Sequence, residues 1–194
     1  GKDNLLFSYH VGNADRFIKV IVNIRKEEDK ILTQVDEFSF ISKEETNGDV
    51  DILWVVDDSG SMADNQTALA TNFLTFIDHF VDKNVNFKMG ITTTDPNKKG
   101  LAVGDFNQLT SEAMIKNRTQ FVSRFMKLIN VGIKGSGDER GLESADAFFS
   151  RYKTQQTFLI LYAFLFIVIV SDEEDHSKKE VSTYLKNFHA LKDA

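Results

Sequence analysis

Val50-Asp51-Ile52-Leu53-Trp54-Val55-Val56-Asp57-Asp58-Ser59-Gly60-Ser61-Met62 is the stretch on which the fold turns. Ile52 to Val56 is short and nearly all apolar, as expected for a strand covered on both faces. After the polar turn, Ala63 to Lys83 carries Leu69, Phe73, Phe76, Ile77, Phe80 and Val81 at the spacing of one apolar helix face. A buried strand, a polar turn and an amphipathic helix make the first unit of an α/β fold.

The unit recurs downstream. Asn86 to Thr93 alternates through Phe87, Met89 and Ile91 and predicts a strand, ended by Asp95, Pro96 and Asn97. Leu101 to Phe106 is expected as a short edge strand. Thr110 to Val131 predicts a helix with Phe121, Val122, Phe125, Leu128 and Ile129 on one side. The glycine-rich loop Gly132 to Gly137 leads into a third helix carrying Leu142, Ala145 and Phe148. Leu165 to Val170 reads as a second buried strand. Lys178 to Leu191 predicts a last helix with Val181, Tyr184, Leu185 and Phe188 inward. The expected fold class is α/β, a doubly wound, mostly parallel sheet with helices on both faces.

Upstream, residues 1–49 form a β-rich N-terminal extension to a domain spanning 50–194. Phe17 to Arg25 and Ile31 to Ser42 are rich in β-branched and aromatic residues, and the charged stretch Lys26 to Lys30 between them suits a turn. A hairpin or small sheet is expected, closed by the polar break Glu44 to Asp49.

Composition narrows the function. The net charge of −6 argues against nucleic-acid and anionic-membrane surfaces, both of which need clustered Lys and Arg. The absence of cysteine removes disulfides, thiolate metal sites and cysteine nucleophiles. The apolar run Phe158 to Val170 has thirteen residues, where a membrane helix needs about 20, so no membrane insertion is expected.

In parallel α/β folds ligands bind beyond the carboxyl ends of the strands. That rule points to the loops after Val56, after Thr92, before the third helix and after Val170. In the first, Asp57, Ser59 and Ser61 are short oxygen donors at alternating positions, and Gly60 permits a tight turn between them. One carboxylate with two hydroxyls is a hard oxygen set that suits Mg²⁺, with Mn²⁺ or Ca²⁺ as alternatives. The same residues could instead cap the following helix. Asp172, after the second buried strand, could join the set through a water molecule, which Mg²⁺ often retains. Its neighbours Glu173, Glu174 and Asp175 read as a solvated charge run.

Asp57-x-Ser59-x-Ser61 after a hydrophobic strand, with Asp172 after a later one, closely resembles the metal-ion-dependent adhesion site of von Willebrand A and integrin inserted domains. The resemblance runs from about Val50 to the C-terminus. VDILWVVDDSGSM, FKMGITTTD, GSGDERGLESA and IVIVSDEEDHS look like the bacterial cell-surface branch of that family. It implies an adhesion or protein-binding module, not an enzyme, whose bound ion recruits an Asp or Glu carboxylate from a partner. It also implies an exported protein, periplasmic or at the cell surface, with a lipoprotein among the forms expected.

Two departures from the family stand out. A third loop there supplies a threonine hydroxyl, whereas Gly135-Ser136-Gly137-Asp138-Glu139-Arg140-Gly141 has none. Ser136 is the substitute expected from the spacing to Gly141, with Asp138 and Glu139 as rivals, and Ser136-x-x-Glu139 is also a capping-box pattern. The family domain also continues with two further strands and a helix. Either the chain is truncated, or the N-terminal β segment covers the open sheet edge.

Enzyme motifs are absent. The dinucleotide fingerprint fails where Arg140 stands in place of glycine, and neither a phosphate loop nor H-E-x-x-H occurs. An EF-hand loop starting at Asp57 would need glycine at Met62 and glutamate at Ala68. His10, His79 and His189 have no catalytic partner in the sequence, and His176 is the one near the expected cleft. A metal-dependent hydrolase or phosphoryl-transfer enzyme would have to draw on Asp58, Glu173 or His176. A component of an envelope assembly is the other alternative.

Overall fold

The computed structural model describes residues 17–23 (backbone only), 48–63, 65–67, 69, 73, 77, 85–153, 158–160 and 163–192. Its centre is a parallel sheet of β1 (Phe17–Asn23), β2 (Val50–Val56), β3 (Phe87–Thr93) and β4 (Phe164–Ser171), in the order β1-β4-β2-β3. Four α-helices come after β3 or β4: α1 (Ser111–Lys116), α2 (Arg118–Ile129), α3 (Gly141–Tyr152) and α4 (Val181–Ala190). Ala63, Asn65 to Thr67, Leu69, Phe73 and Ile77 are helical as well. The architecture is therefore α/β. The second strand of the expected N-terminal hairpin, its turn, His10, His79, Phe76, Phe80 and Val81 lie outside the described residues.

Period-2 alternation along β2 divides the core. Ile52, Trp54 and Val56 join one cluster with Met89 and Ile91 of β3, Phe73, Ile77, and Phe121, Phe125 and Ile129 of α2. Leu53 and Val55 join the other with Ile167 and Ile169 of β4, Leu142, Ala145 and Phe148 of α3, and Tyr184 and Phe188 of α4. Phe73 and Phe125 stack with ring centroids 3.4 Å apart, and Trp54 meets Phe125 edge-on at 5.6 Å. Gly90 lets β3 approach the second cluster closely. A Cβ there would lie 2.8 Å from Phe158 Cε2 and 2.9 Å from Phe148 Cζ.

Three expectations need correction. Thr110 to Val131 is two helices, because Asn117 takes an extended conformation (φ −159°, ψ 90°) and its side chain caps α2 by accepting from Gln120 N at 3.0 Å. An asparagine that finds a backbone donor competes with helix continuation. Leu101 to Phe106 is not an edge strand. Gly100 and Gly104 adopt φ of 64° and 74°, and these left-handed positions break an extended run flanked by a turn at Phe106–Gln108. Only single bonds tie this segment to β3, such as Val103 N to Ile91 O at 2.7 Å. The last helix starts at Val181 rather than Lys178, and Val181, expected inward, is 48% exposed.

No helix among the described residues is long and apolar enough to cross a membrane. Because all strand pairs are parallel, the loops after Val56, Thr93 and Ser171 leave the same edge of the sheet. Val56 pairs with both Val170 and Thr93, so these three loops begin side by side.

Candidate cation site

Asp57 is fully buried at this edge, and each carboxylate oxygen accepts one hydrogen bond. Ser59 N donates to Oδ1 at 2.7 Å, and Ser171 Oγ donates to Oδ2 at 2.6 Å. Asp57 N donates to Val170 O at 2.9 Å, which extends the β2–β4 ladder by one step into the loop. Ser59 Oγ lies 3.1 Å from Ser61 Oγ, and Ser61 Oγ donates to Asp172 Oδ1 at 3.0 Å. The structure thus brings Asp57, Ser59, Ser61 and Asp172 together from loops more than a hundred residues apart. Ser59 precedes a short helical turn, Gly60–Met62, and makes no side-chain capping bond there, so Ser59 does not cap that turn.

The third loop is bound to the first through groups that sequence reasoning passed over. Buried Gln66 donates from Nε2 to Asp57 O and to Gly132 O, both at 2.8 Å, while its Oε1 accepts from Gly132 N at 3.2 Å. Gly135 N donates to Asp58 O at 2.7 Å, and a Cβ on Gly135 would collide with the Asp58 carboxylate. Asp58 itself pairs with Lys98 from the loop after β3. Ser171, adjacent to Asp172, was the one of these with a legible signal. Nothing local in the chain links Lys98 or Gln66 to the site.

Ser136 Oγ accepts from Asp138 N at 3.1 Å, closing its own turn. The capping-box alternative is not realised either, because α3 is preceded by Arg140 without a side-chain capping bond. Asp138 pairs with Arg140, whose hydrogen bond holds that carboxyl below its ordinary range. Glu139 is buried at 1% exposure with neither oxygen hydrogen-bonded. Burial, and then the charges of Asp57 and Glu173, push its carboxyl up to about 7. Burial also raises Asp172, reinforced by the Asp57 charge and opposed by the Ser61 bond. Asp58 is raised by burial against the pull of Lys98.

The donors are all oxygens, the type that Mg²⁺, Mn²⁺ and Ca²⁺ prefer. Among the described residues no three His, Cys, Asp or Glu side chains form a ligating group. A cation here would therefore rest on the serine hydroxyls as much as on carboxylates. A separate cleft of about 590 Å³ between α3 and α4, lined by Asp146, Lys153, Lys179 and Asn187 among others, shares none of these residues. Compared with known families, characterised proteins and solved structures, the chain matches no family model, no curated protein and no solved structure.

Proposed function

We propose that the chain is a doubly wound domain of the von Willebrand A type that binds a divalent cation, Mg²⁺ by preference, and uses it to hold a partner protein. One observation carries this reading: Ser61 Oγ and Asp172 Oδ1 meet at 3.0 Å across 111 positions of sequence, beside buried Asp57. Asp57, Ser59, Ser61 and Asp172 would hold the ion, with Ser136 as the third-loop donor expected from the family pattern. When bound, the ion would supply a Lewis-acidic point for a partner's Asp or Glu, a charge-assisted contact that gives orientation and specificity. The protein's own part is positioning. Ser171 and the Ser59 amide orient Asp57, and Gln66 fixes the third loop against the first. The motif vocabulary supports an exported protein working in the periplasm or at the cell surface.

An enzymatic reading has less support. Asp58 is engaged by Lys98, Glu173 is exposed, and His176 is 54% exposed without a paired nucleophile among the described residues. The test is calorimetric titration of Mg²⁺ and Mn²⁺ into the chain and into Asp57→Ala. One ion per chain is expected, with binding abolished in the variant and its fold retained by circular dichroism. Equal binding in both proteins would overturn the reading.

A further inference from the structure

Two loops at this edge are fastened to the same buried residue, Asp58. Lys98, in the loop after β3, pairs with its carboxylate. Gly135, in the loop before α3, lies against that carboxylate and donates from N to Asp58 O at 2.7 Å. Gln66 grips the other end of the second loop by bonding both Gly132 N and Gly132 O. Between those anchors Ile133 is 45% exposed, and Lys134 is exposed as well. Beside Lys98, exposed Lys99 has a φ of 50°, the only left-handed residue other than glycine among those described. Gly100 behind it has no room for a Cβ against Phe148 N, and Leu101 is 50% exposed. Side chains displayed on anchored turns lose little further freedom when a partner covers them. Among the described residues neither Lys99 nor Lys134 has an ion pair. Asp95, the acid of the same loop, turns inward to accept from Asn97 N at 2.9 Å. The opposite flank has the opposite sign. β2 lies between β4 and β3, so the loop after β4 leaves on the other side of Asp57, and it exposes Glu173, Glu174 and Asp175.

We propose that the flank built from Lys99, Leu101, Ile133 and Lys134 is a docking surface for an acidic segment of a partner protein. That segment carries an apolar residue and further carboxylates beside the one that meets the cation. The proposal rests on the reading of this edge as a cation site and adds what surrounds the partner's carboxylate. Ile133 and Leu101 take the apolar side chain, and the two lysines face the neighbouring acids. Glu173, Glu174 and Asp175 repel a segment that places acids on their side, so it crosses the sheet edge in one orientation. Exposed charge pairs contribute little each, so this flank sets selectivity more than affinity.

The probe is a pair of capped hexapeptides that share one central aspartate and two leucines, one completed by three glutamates and the other by three lysines. Each is titrated by fluorescence anisotropy into the full chain at saturating Mn²⁺. The glutamate peptide is expected to bind about tenfold more tightly or better. In the double variant Lys99→Asn with Lys134→Gln, where asparagine tolerates the left-handed turn, that preference should fall about fivefold. Ile133→Ser should weaken both peptides about threefold. Mn²⁺ affinity and melting temperature should stay at the parent values in both variants. No binding of either peptide, equal binding of the two, or tighter binding of the lysine peptide would overturn the proposal and leave the cation site standing. So would a preference untouched by the double variant, or affinities untouched by Ile133→Ser. A chain that takes up no Mn²⁺, or peptide binding undiminished by chelator, overturns the underlying reading instead.

Discussion

β2 carries a buried aspartate near its start, Asp51, and another one residue past its end, Asp57, and the two have different surroundings. Asp51 Oδ2 accepts from Lys192 Nζ at 2.7 Å and from Ile160 N at 2.8 Å, and Lys192 is only 6% exposed. Burial still pushes the Asp51 carboxyl up to about 6, against the lowering by Lys192. Asp57 has a serine hydroxyl and an amide where Asp51 has an ammonium, and the acids around it add negative charge. The nearby Lys98 goes to Asp58. Burying an acid therefore does not by itself make a site. At one end an internal lysine balances the charge and leaves a clasp between the last turn of the chain and the sheet. At the other, no ion pair among the described residues balances Asp57, and it is there that we propose a cation binds.

Four measurements break or sharpen this contrast. Lys192→Met should cost most, about 3–5 kcal/mol near neutral pH, because it leaves Asp51 buried and unpaired. The Asp51 carboxyl in the folded chain lies above its ordinary value of 3.8, so between the two the native state holds a proton that the unfolded chain releases. Its contribution to stability is greatest below that ordinary value and falls as pH rises to about 6. Removing Lys192 raises the carboxyl further, so urea denaturation should show a large deficit at high pH that shrinks as the solution is acidified. A deficit independent of pH would mean that the pair is not what Lys192 contributes.

Divalent cation should stabilise the chain by about 2.7 kcal/mol at a hundred times the dissociation constant. The shift should vanish in Asp57→Ala and persist in Asp51→Asn, read as melting temperature with and without chelator. Gly135→Ala should cost about 1–3 kcal/mol by overpacking against the Asp58 carboxylate, and should weaken Mn²⁺ binding through the displaced loop. A neutral result there would show that the first and third loops are not locked together. Thr110→Ala removes the cap on Ala113 N and should cost about 1 kcal/mol without touching cation affinity.

Much of this was legible in the chain. The all-apolar run through Val56 and the one through Val170 are buried strands, and Asp57, Ser59, Ser61 and Asp172 stand in the loops after them. Period and polarity suffice there because a parallel strand with two covered faces has few other readings. The break at Asn117 was hidden because a helix-compatible pattern continues across it, and only the capping bond to Gln120 N divides it. Gln66 was hidden because a polar residue in an amphipathic helix is ordinarily a surface residue, whereas here it bridges two loops.

Local sequence determined the strands that end at Val56, Thr93 and Ser171 and which oxygen donors sit at their ends, because those depend on periodicity and short-range sterics. Only the tertiary structure decided that Lys192 reaches Asp51 across 141 positions, that Lys98 reaches Asp58, and that Glu139 is buried. Charge pairing acts through space over a few ångströms, and the distance between two groups is set by how the sheet and helices stack, not by their separation along the chain.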